Sequence, residues 1–290
     1  MKKLLGRAHD YLSLVKFSHT VFAMPFALAG YFLGATHPGY VFTLKTFLPV
    51  LACMVFARSA AMAFNRYADL RFDRLNPRTA EREIPTGKIS QNQALAFVII
   101  SSLLFITSAA LLNRLTLILS PVALIIILGY SYTKRFTPLC HLVLGLGLSL
   151  APIGAYIAVT GTFALLPVIY SFIVLTWVSG FDIIYSLQDD QFDRDAGLYS
   201  MPAVLSRKNA LTVSVILHFA SVLLVAAAGL IGLSGLIFWI GALIFVVMIV
   251  YQHMIVKPDD LSRVNMAFST TNGIAGVIFG LAVVLDLLIF

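Results

Sequence analysis

Charge is scarce in this sequence. Lysine, arginine, aspartate and glutamate make up 11% of its 290 residues, and 60% of the residues are hydrophobic, whereas about a quarter of the residues of a soluble domain are charged. The two cysteines, Cys53 and Cys140, lie in or beside apolar runs and are interpreted as packing residues rather than as a disulfide or a metal pair. The composition excludes an ordinary soluble domain and predicts an integral membrane protein in a lipid bilayer.

Long apolar runs fill most of the chain, and a helix needs about 20 residues to cross a bilayer. The runs lie at residues 17–44, 46–64, 89–113, 115–133, 136–181, 209–256 and 264–285. Two of them are too long for one helix, and they contain breaks at Thr160-Gly161-Thr162 and near residues 232–235. The sequence therefore predicts an all-α integral membrane protein with nine transmembrane helices.

The basic residues support this number of helices. With nine spans, seventeen of the twenty lysines and arginines fall on one side, Arg58 lies within a span, and Lys45 and Arg114 fall on the other side. Cytoplasmic loops carry the excess of lysine and arginine, so the N-terminus is predicted to lie on the cytoplasmic side of the membrane and the C-terminus outside. The net charge of +7 is thus interpreted as membrane topology and not as nucleic-acid binding.

Nine of the thirteen acidic residues lie in two short stretches, residues 69–83 and 182–195, on the predicted cytoplasmic side. Carboxylates beside a membrane core are costly and indicate function, and spacings of four and seven place side chains on one helix face. The first carboxylate row comprises Asn65, Asp69 and Asp73, and the second carboxylate row comprises Asp182, Asp189 and Asp193. Asp190 and Asp195 lie off the second row and are predicted to be solvated.

The two rows offer hard oxygen ligands, and no histidine or cysteine is expected near them, which favours Mg²⁺ over zinc or iron. Mg²⁺ usually keeps water ligands and completes its shell with substrate phosphate. We therefore predict that the rows face each other and that a diphosphate bridges two Mg²⁺ ions between them.

Basic residues accompany both rows. Arg78 and Arg82 lie beyond the first row, and Lys134 and Arg135 follow Tyr130 in the next loop on the same side. Arginine binds phosphate through two parallel hydrogen bonds, and lysine supplies a mobile point charge. This arrangement predicts a site for a metal together with a polyanion. The other basic residues nearby are interpreted as surface ion pairs and topological anchors: Arg66, Arg71, Arg74 and Lys88.

Arg58 lies two helical turns deeper than Asn65 on the same face. A buried arginine is costly unless it is paired. It is interpreted either as a cavity residue that binds an anionic or phenolic group of a substrate, or as the structural partner of Asp182, and both roles can hold in turn. Lys16 and His19, at the start of the first span, are interpreted as peripheral to the site.

No long polar linker divides the chain, so residues 1–290 are predicted to form one domain. The two polar loops share a layout in which an apolar helix is followed by a carboxylate row, basic residues and a proline. This layout suggests a weak pseudo-repeat, with halves of about 1–135 and 136–290 and the site between them. Gly145 and Gly147 lie in an apolar run and predict close helix packing rather than nucleotide binding.

Three motifs follow one another along the chain. The first is Asn65-xxx-Asp69-xxx-Asp73 with the segment from Arg78 to Gly87, the second is the Tyr130-xxx-Lys134 loop, and the third runs from Asp182 through Asp189-xxx-Asp193. Together they resemble the signatures of the UbiA superfamily of intramembrane prenyltransferases. The resemblance covers the whole chain. The sequence departs from the family pattern at Glu83, where members of the ubiquinone pathway often have proline.

The resemblance implies nine helices around a central cavity, a polyprenyl diphosphate donor and an aromatic acceptor. It implies that two Mg²⁺ ions on the diphosphate are held by Asn65, Asp69, Asp73, Asp189 and Asp193. It also implies that the diphosphate is contacted by Arg78, Arg82 and Lys134, with Tyr130 hydrogen-bonding nearby, and that Arg58 and Asp182 lie at the acceptor. The expected acceptor is 4-hydroxybenzoate or a related hydroxylated aromatic acid of ubiquinone or menaquinone biosynthesis.

The expected reaction starts when the metal and the basic residues stabilise the departing diphosphate. The aromatic ring then attacks the allylic carbon, and Asp182 is a candidate to orient the acceptor or to take its proton. The main alternative is a secondary transporter with an intramembrane acidic site, but the rows lie at helix ends rather than at the bilayer midplane. A CDP-alcohol phosphotransferase is a weaker alternative, since its aspartate–glycine–arginine signature is absent from the sequence.

Overall fold

The computed structural model describes residues 9–15 and 24–290, and the predictions for Lys16 and His19 lie outside these residues. The described residues are helical apart from turns, loops and one isolated bridge between Lys257 and Asp260. The predicted all-α class is therefore confirmed.

A short helical segment at residues 9–14 precedes twelve helices. These are α1 (Met24–Ala35), α2 (Leu44–Ala68), α3 (Leu70–Leu75), α4 (Gln91–Ala110), α5 (Arg114–Thr133), α6 (Cys140–Thr160), α7 (Leu165–Ser186), α8 (Asp190–Asp195), α9 (Met201–Leu205), α10 (Arg207–Ile231), α11 (Leu236–Ile255) and α12 (Val264–Ile289, with a π-helical turn at Ala267–Thr271).

Eight helical stretches in the described part of the chain are long and apolar enough to cross a membrane, where α7 and α8 count as one stretch. The remaining predicted span is the first along the chain, within residues 17–44. It is described only from residue 24 onward, where α1 is an apolar helix of 12 residues. Both predicted breaks are confirmed. Gly161 directly follows α6, and its φ of 69° suits glycine. Gly232 directly follows α10. The protein is a multi-pass membrane protein.

The second half of the chain closes around an aromatic core. α7 packs between α6 and α10, and α12 packs against α11 and α1. Trp177 of α7 lies 5.5 Å from Phe245 of α11, and Phe245 lies 5.1 Å from Phe279 of α12, between ring centroids. α1 approaches α6 so closely that a side chain at Gly30 would collide with the carbonyl of Pro152.

The connections that follow α2, α5, α7 and α11 meet at one end of the bundle. The backbone N–H of Tyr199 donates to the carbonyl of Lys134 at 2.7 Å, and Arg207 donates to the carbonyl of Pro258 at 3.4 Å. Residues from loops that are distant in sequence are thereby brought above the same interhelical space.

Candidate active site

A cavity of about 910 Å³ lies between α2, α4, α5, α6 and α7. All eleven residues predicted for the site line this one cavity. They are Arg58, Asn65, Asp69, Asp73, Arg78, Arg82, Tyr130, Lys134, Asp182, Asp189 and Asp193. Much of the remaining wall is apolar and includes Phe105, Leu119 and Ile126. The fold therefore brings together residues spread over almost half of the sequence, from Arg58 to Asp193.

The first carboxylate row keeps its helical spacing although the helix is interrupted at Asp69. The backbone N–H of Asp69 donates to the carbonyl of Asn65 at 2.9 Å, and that of Asp73 donates to the carbonyl of Asp69 at 2.8 Å. Hydrogen bonds over four residues keep the three side chains on one face. The side-chain amide of Asn65 also donates to Asp69 Oδ2 at 3.0 Å.

The second row does not lie on one continuous α-helix, which corrects the prediction of a single stripe. α7 ends at Ser186, and Leu187–Asp189 forms a 3₁₀ turn before α8. A 3₁₀ turn has about 3.0 residues per turn, so it rotates the following side chains relative to an α-helix. Asp182, Asp189 and Asp193 nevertheless all reach the cavity.

The loop after the first row binds the second row. Arg78 donates from Nε to Asp189 Oδ1 at 2.9 Å and from Nη2 to Oδ2 at 2.5 Å, which is the bidentate geometry of a strong arginine–carboxylate pair. The side-chain amide of Asn76 donates to the same Oδ1 at 3.0 Å. Asp189 is 7% exposed, so these donors compensate a buried charge.

Two adjacent basic residues bind opposite rows. Lys134 Nζ lies 2.7 Å from Asp193 Oδ1 in the second row, and Arg135 Nη2 lies 3.2 Å from Asp69 Oδ1 in the first row. Arg82 pairs with Asp73 at 2.7 Å. The rows thus face each other across the cavity, and each of these carboxylates has a cationic partner.

In this network, burial and ion pairing shift the pKa values of the charged groups in opposite directions. Burial raises the pKa of Asp69 above its ordinary value, and the hydrogen bond from Arg135 only partly opposes that rise. Burial would lower the pKa of Lys134, but the charge of Asp193 and its contact raise this pKa above the ordinary value. The lysine is therefore held in its charged form.

The donor set fits Mg²⁺ bound together with a phosphate rather than a cage made only of protein. No three histidine, cysteine or acidic side chains of residues 9–15 and 24–290 lie close enough together to hold a metal ion alone. Oδ2 of Asp73 in the first row and both oxygens of Asp193 in the second row are buried without a hydrogen-bond partner among the described residues, and only Oδ1 of Asp193 has an ion-pair contact, with Lys134 at 2.7 Å. Unpartnered anionic oxygens are ligands that Mg²⁺ prefers, and water and phosphate commonly complete its shell.

The expectation that no histidine lies near the rows is wrong. His141 Nδ1 lies 2.6 Å from Asp182 Oδ2. His141 belongs to α6 and is 41 residues from Asp182 in sequence, so no spacing pattern could have linked the two. Asn76 was also missed, although its place directly after the first row was a usable signal.

Two predictions about solvated charges are wrong. Arg66, interpreted as a surface anchor, is 4% exposed and lines the cavity, because α2 continues as far as Ala68. Its Nε has no hydrogen-bond partner among the described residues. Asp190, predicted to be solvated, is 3% exposed and binds Arg207 through both oxygens at 2.8 and 3.0 Å. Other residues of the same prediction are exposed: Arg71, Arg74, Lys88 and Asp195.

The interpretation of close helix packing is confirmed at Gly145 but not at Gly147, and the interpretation that the cysteines do not form a disulfide is confirmed. A side chain at Gly145 would come within 2.6 Å of the carbonyl of Leu175, so this glycine permits the close approach of α6 to α7. Gly147 has ordinary space around it. Cys53 and Cys140 are both free thiols.

A family model described as the UbiA prenyltransferase family matches residues 23–279. This chain belongs to the UbiA prenyltransferase family. Membership confirms the resemblance seen in the three motifs and removes the support for a transporter or a CDP-alcohol phosphotransferase.

Solved structures of UbiA homologues share the fold. The apo structure of a UbiA homologue from Aeropyrum pernix K1 is 38% identical, with a TM-score of 0.84 over 93% of this chain and 98% of that chain. A UbiA homologue from Archaeoglobus fulgidus, solved with GPP and Mg²⁺, is 20% identical, with a TM-score of 0.74 over 95% of this chain and 99% of that chain. At this lower identity the likeness concerns the fold alone.

Curated relatives carry the name 4-hydroxybenzoate octaprenyltransferase. The protein from Aeromonas salmonicida is 31% identical over 186 residues, and the match spans 64% of each chain, slightly less than two thirds of that relative. The protein from Francisella tularensis subsp. novicida is 28% identical over 231 residues, which cover 80% of this chain and 81% of the relative.

Proposed function

We propose that this protein is a Mg²⁺-dependent prenyltransferase that transfers a polyprenyl group from polyprenyl diphosphate to an aromatic acid in quinone biosynthesis. The proposed acceptor is 4-hydroxybenzoate or a closely related hydroxylated aromatic acid. One observation carries the proposal: two carboxylate rows face each other across a single membrane cavity, and basic residues link them.

The proposed metal ligands are Asn65, Asp69, Asp73, Asp189 and Asp193. When bound, Mg²⁺ supplies positive charge that stabilises the leaving diphosphate. The unpartnered oxygens of Asp73 and Asp193 support these two ligands in particular, because a buried anionic oxygen without a partner is costly.

The cations of the site are proposed to exchange partners when substrate binds. Arg78, Arg82 and Lys134 each hold a carboxylate in the described structure. If those carboxylates held Mg²⁺, the three cations would be available to the diphosphate oxygens, which arginine and lysine bind well. Arg66 joins this set, since the residue lines the same cavity and its buried Nε has no hydrogen-bond partner among the described residues.

The acceptor is proposed to lie deeper in the cavity, against Arg58. Arg58 lies two turns of α2 beyond Asn65, toward the apolar part of the wall. A guanidinium binds a carboxylate or a phenolate through charged hydrogen bonds, and Tyr130 lines the same cavity. Phe105, Leu119 and Ile126 offer an apolar surface for the isoprenoid and exclude water from the reacting carbon.

The transfer itself needs few protein groups. The bond between the allylic carbon and the diphosphate oxygen breaks, and the electron pair leaves with the diphosphate. A π pair of the acceptor ring forms the new carbon–carbon bond. The ring then loses a proton, for which Asp182 is the proposed acceptor, since it lines the cavity on the side of the second row.

The relatives support the donor and acceptor classes. The Aeromonas and Francisella proteins are named for 4-hydroxybenzoate and an octaprenyl group, and the Archaeoglobus homologue was solved with a prenyl diphosphate and Mg²⁺. We propose the same classes for this chain.

We also propose that the site faces the cytoplasm of a bacterial inner membrane, with the N-terminus on the same side and the C-terminus outside. The basic loops that meet at one end of the bundle support this orientation. The pseudo-repeat of residues 1–135 and 136–290 remains a proposal, supported by the contribution of one carboxylate row from each half.

A direct assay tests the function. Membranes that contain the protein are incubated with radiolabelled polyprenyl diphosphate, Mg²⁺ and a panel of aromatic acids. The expected result is a prenylated product with 4-hydroxybenzoate or a hydroxynaphthoate, which EDTA abolishes and excess Mg²⁺ restores. Absence of product with every acid, or product formation that is insensitive to EDTA, would contradict the proposal.

A further inference from the structure

His141 is a buried residue at the start of α6 whose two ring nitrogens both have partners. It is 3% exposed. Its Nδ1 lies 2.6 Å from Asp182 Oδ2 on α7, and its Nε2 accepts the backbone N–H of Met201 on α9 at 3.2 Å. The imidazole therefore joins three helices at the wall of the cavity.

The backbone of Met201 determines which nitrogen carries the proton. An amide N–H can only donate, so Nε2 must present a lone pair, and the proton of the neutral ring lies on Nδ1. Nδ1–H then donates to Asp182 Oδ2. A second proton on Nε2 would place two N–H groups against each other in a buried site, which is unfavourable. His141 is thus a fixed donor to Asp182 and has no nitrogen left for a substrate.

The surrounding helices hold this imidazole in place. Ser179 Oγ of α7 lies 3.1 Å from the carbonyl of His141 and 2.6 Å from that of Leu175, so its one proton is shared between the two carbonyls and the backbone of His141 is in contact with α7. One turn further along α6, the close packing at Gly145 leaves no room for α6 to shift toward α7. The contact of the His141 backbone with α7 and the close packing at Gly145 therefore hold the ring in position.

Asp182 is oriented by this contact and remains accessible from the cavity. Its side chain is 22% exposed, and it lines the cavity. The histidine engages one carboxylate oxygen, Oδ2, and this contact limits rotation of the carboxylate. A carboxylate held in one orientation is a more effective proton acceptor, because the geometry of proton transfer is preset.

We infer that His141 is a positioning residue that holds Asp182 so that the carboxylate receives the proton released by the acceptor ring. The inference rests on the proposed function. After the new carbon–carbon bond has formed, the ring C–H bond breaks, its electron pair restores the aromatic ring, and the proton passes to the carboxylate of Asp182. His141 keeps its own proton throughout.

The matched variants are His141→Leu and His141→Gln. A glutamine amide can donate an N–H to Asp182 while its oxygen accepts the N–H of Met201, whereas leucine can do neither. Each variant is combined with Asp182→Ala. The control is His253→Leu, which removes a histidine that is hydrogen-bonded to His218 at 2.7 Å and lies outside the cavity wall.

The assay is steady-state prenyl transfer to the acceptor that the wild type uses, with normal acceptor and with acceptor deuterated on the ring. We expect His141→Leu to lower kcat about 10- to 100-fold, with both KM values little changed, and His141→Gln to restore most of the loss. The ring-deuterium isotope effect should rise in His141→Leu, because proton removal becomes slower. In the Asp182→Ala background, His141→Leu should have no further effect, since residues that act as a unit are not additive.

Several outcomes overturn the inference. One is an equal loss from His141→Leu with and without Asp182, and another is a glutamine variant as impaired as the leucine variant. A loss of the same size in His253→Leu would assign the effect to general packing. If the wild type is active and His141→Leu is fully active, the role of His141 is rejected and the proposed function stands. If the wild type forms no product with any aromatic acid, both the proposed function and the role of His141 are rejected.

Discussion

The two carboxylate rows differ in what holds them. The first row lies along the end of α2 and in α3, where Asn65 and Asp69 bind each other over four residues and Arg82 reaches Asp73 from nine residues away. The second row depends on distant residues: Arg78 reaches Asp189 over 111 positions. The first row can therefore form largely within its own segment, whereas the second requires that the first half of the chain is folded against it.

Burial differs between one carboxylate of the first row and one of the second. The side chain of Asp69 is 28% exposed, whereas that of Asp193 is fully buried beside Lys134. A buried charge that loses its partner is strongly destabilised, while an exposed charge is compensated by water. The two rows thus carry the same carboxylate groups but are held by different contacts, mostly local in the first row and long-range in the second. Variants at the two rows should therefore differ in their effects.

The largest effect is expected from removing one ligand in each row. Asp69→Ala and Asp189→Ala should each lower kcat/KM at least ~10²-fold, because both are proposed to hold the metal that stabilises the leaving group. Steady-state assays over a Mg²⁺ titration measure the effect, with Asp195→Ala as an exposed control from the same region. Retained activity in both ligand variants would contradict the metal assignment.

The next largest effect is expected on the KM for polyprenyl diphosphate, and it should be larger at Lys134 than at its neighbour Arg135. Lys134→Ala is expected to raise the KM for polyprenyl diphosphate about 10- to 100-fold, since a charged hydrogen bond contributes roughly 1.5–3 kcal/mol. Arg135→Ala should cost less, because its partner Asp69 is partly exposed and also binds Asn65. Donor KM values for the two variants make the comparison, and equal losses would show that the rows are supported alike.

A smaller and more selective effect is expected from Arg58→Ala. This residue lies beyond both rows, so the KM for the aromatic acceptor should rise about 10-fold through loss of a charged contact, with the KM for the donor little changed. Separate titrations of the two substrates measure this split. A raised donor KM with an unchanged acceptor KM would reject the role of Arg58 at the acceptor.

The smallest effect concerns stability. Asp190 binds Arg207 and Arg194, whereas Asp195 is exposed. Asp190→Asn should lower the apparent Tm in detergent by about 2–4 °C, as expected for ~1 kcal/mol in a protein of this size, and Asp195→Asn should shift it by less than about 1 °C. Differential scanning fluorimetry compares the two, and equal shifts would mean that the arginine contacts contribute no stability.

Particular residues show how far sequence reasoning reached. Asn65, Asp69 and Asp73 were recognised because a spacing of four is a local property of a helix. His141 was missed because its contact with Asp182 joins separate helices. Arg66 was misjudged because it stands among exposed arginines, and only the length of α2 places it in the cavity wall.

The sequence by itself determined the class of the protein, the positions of its apolar helices and most residues of the candidate site, because hydrophobic length and helical spacing depend on neighbours along the chain. Only the tertiary structure decided which cation binds which carboxylate, that Arg66 and Asp190 are buried, and that Met201 presets the proton position on His141. These features arise from contacts between segments far apart in sequence, and their strength depends on the exclusion of water, which no single segment achieves alone.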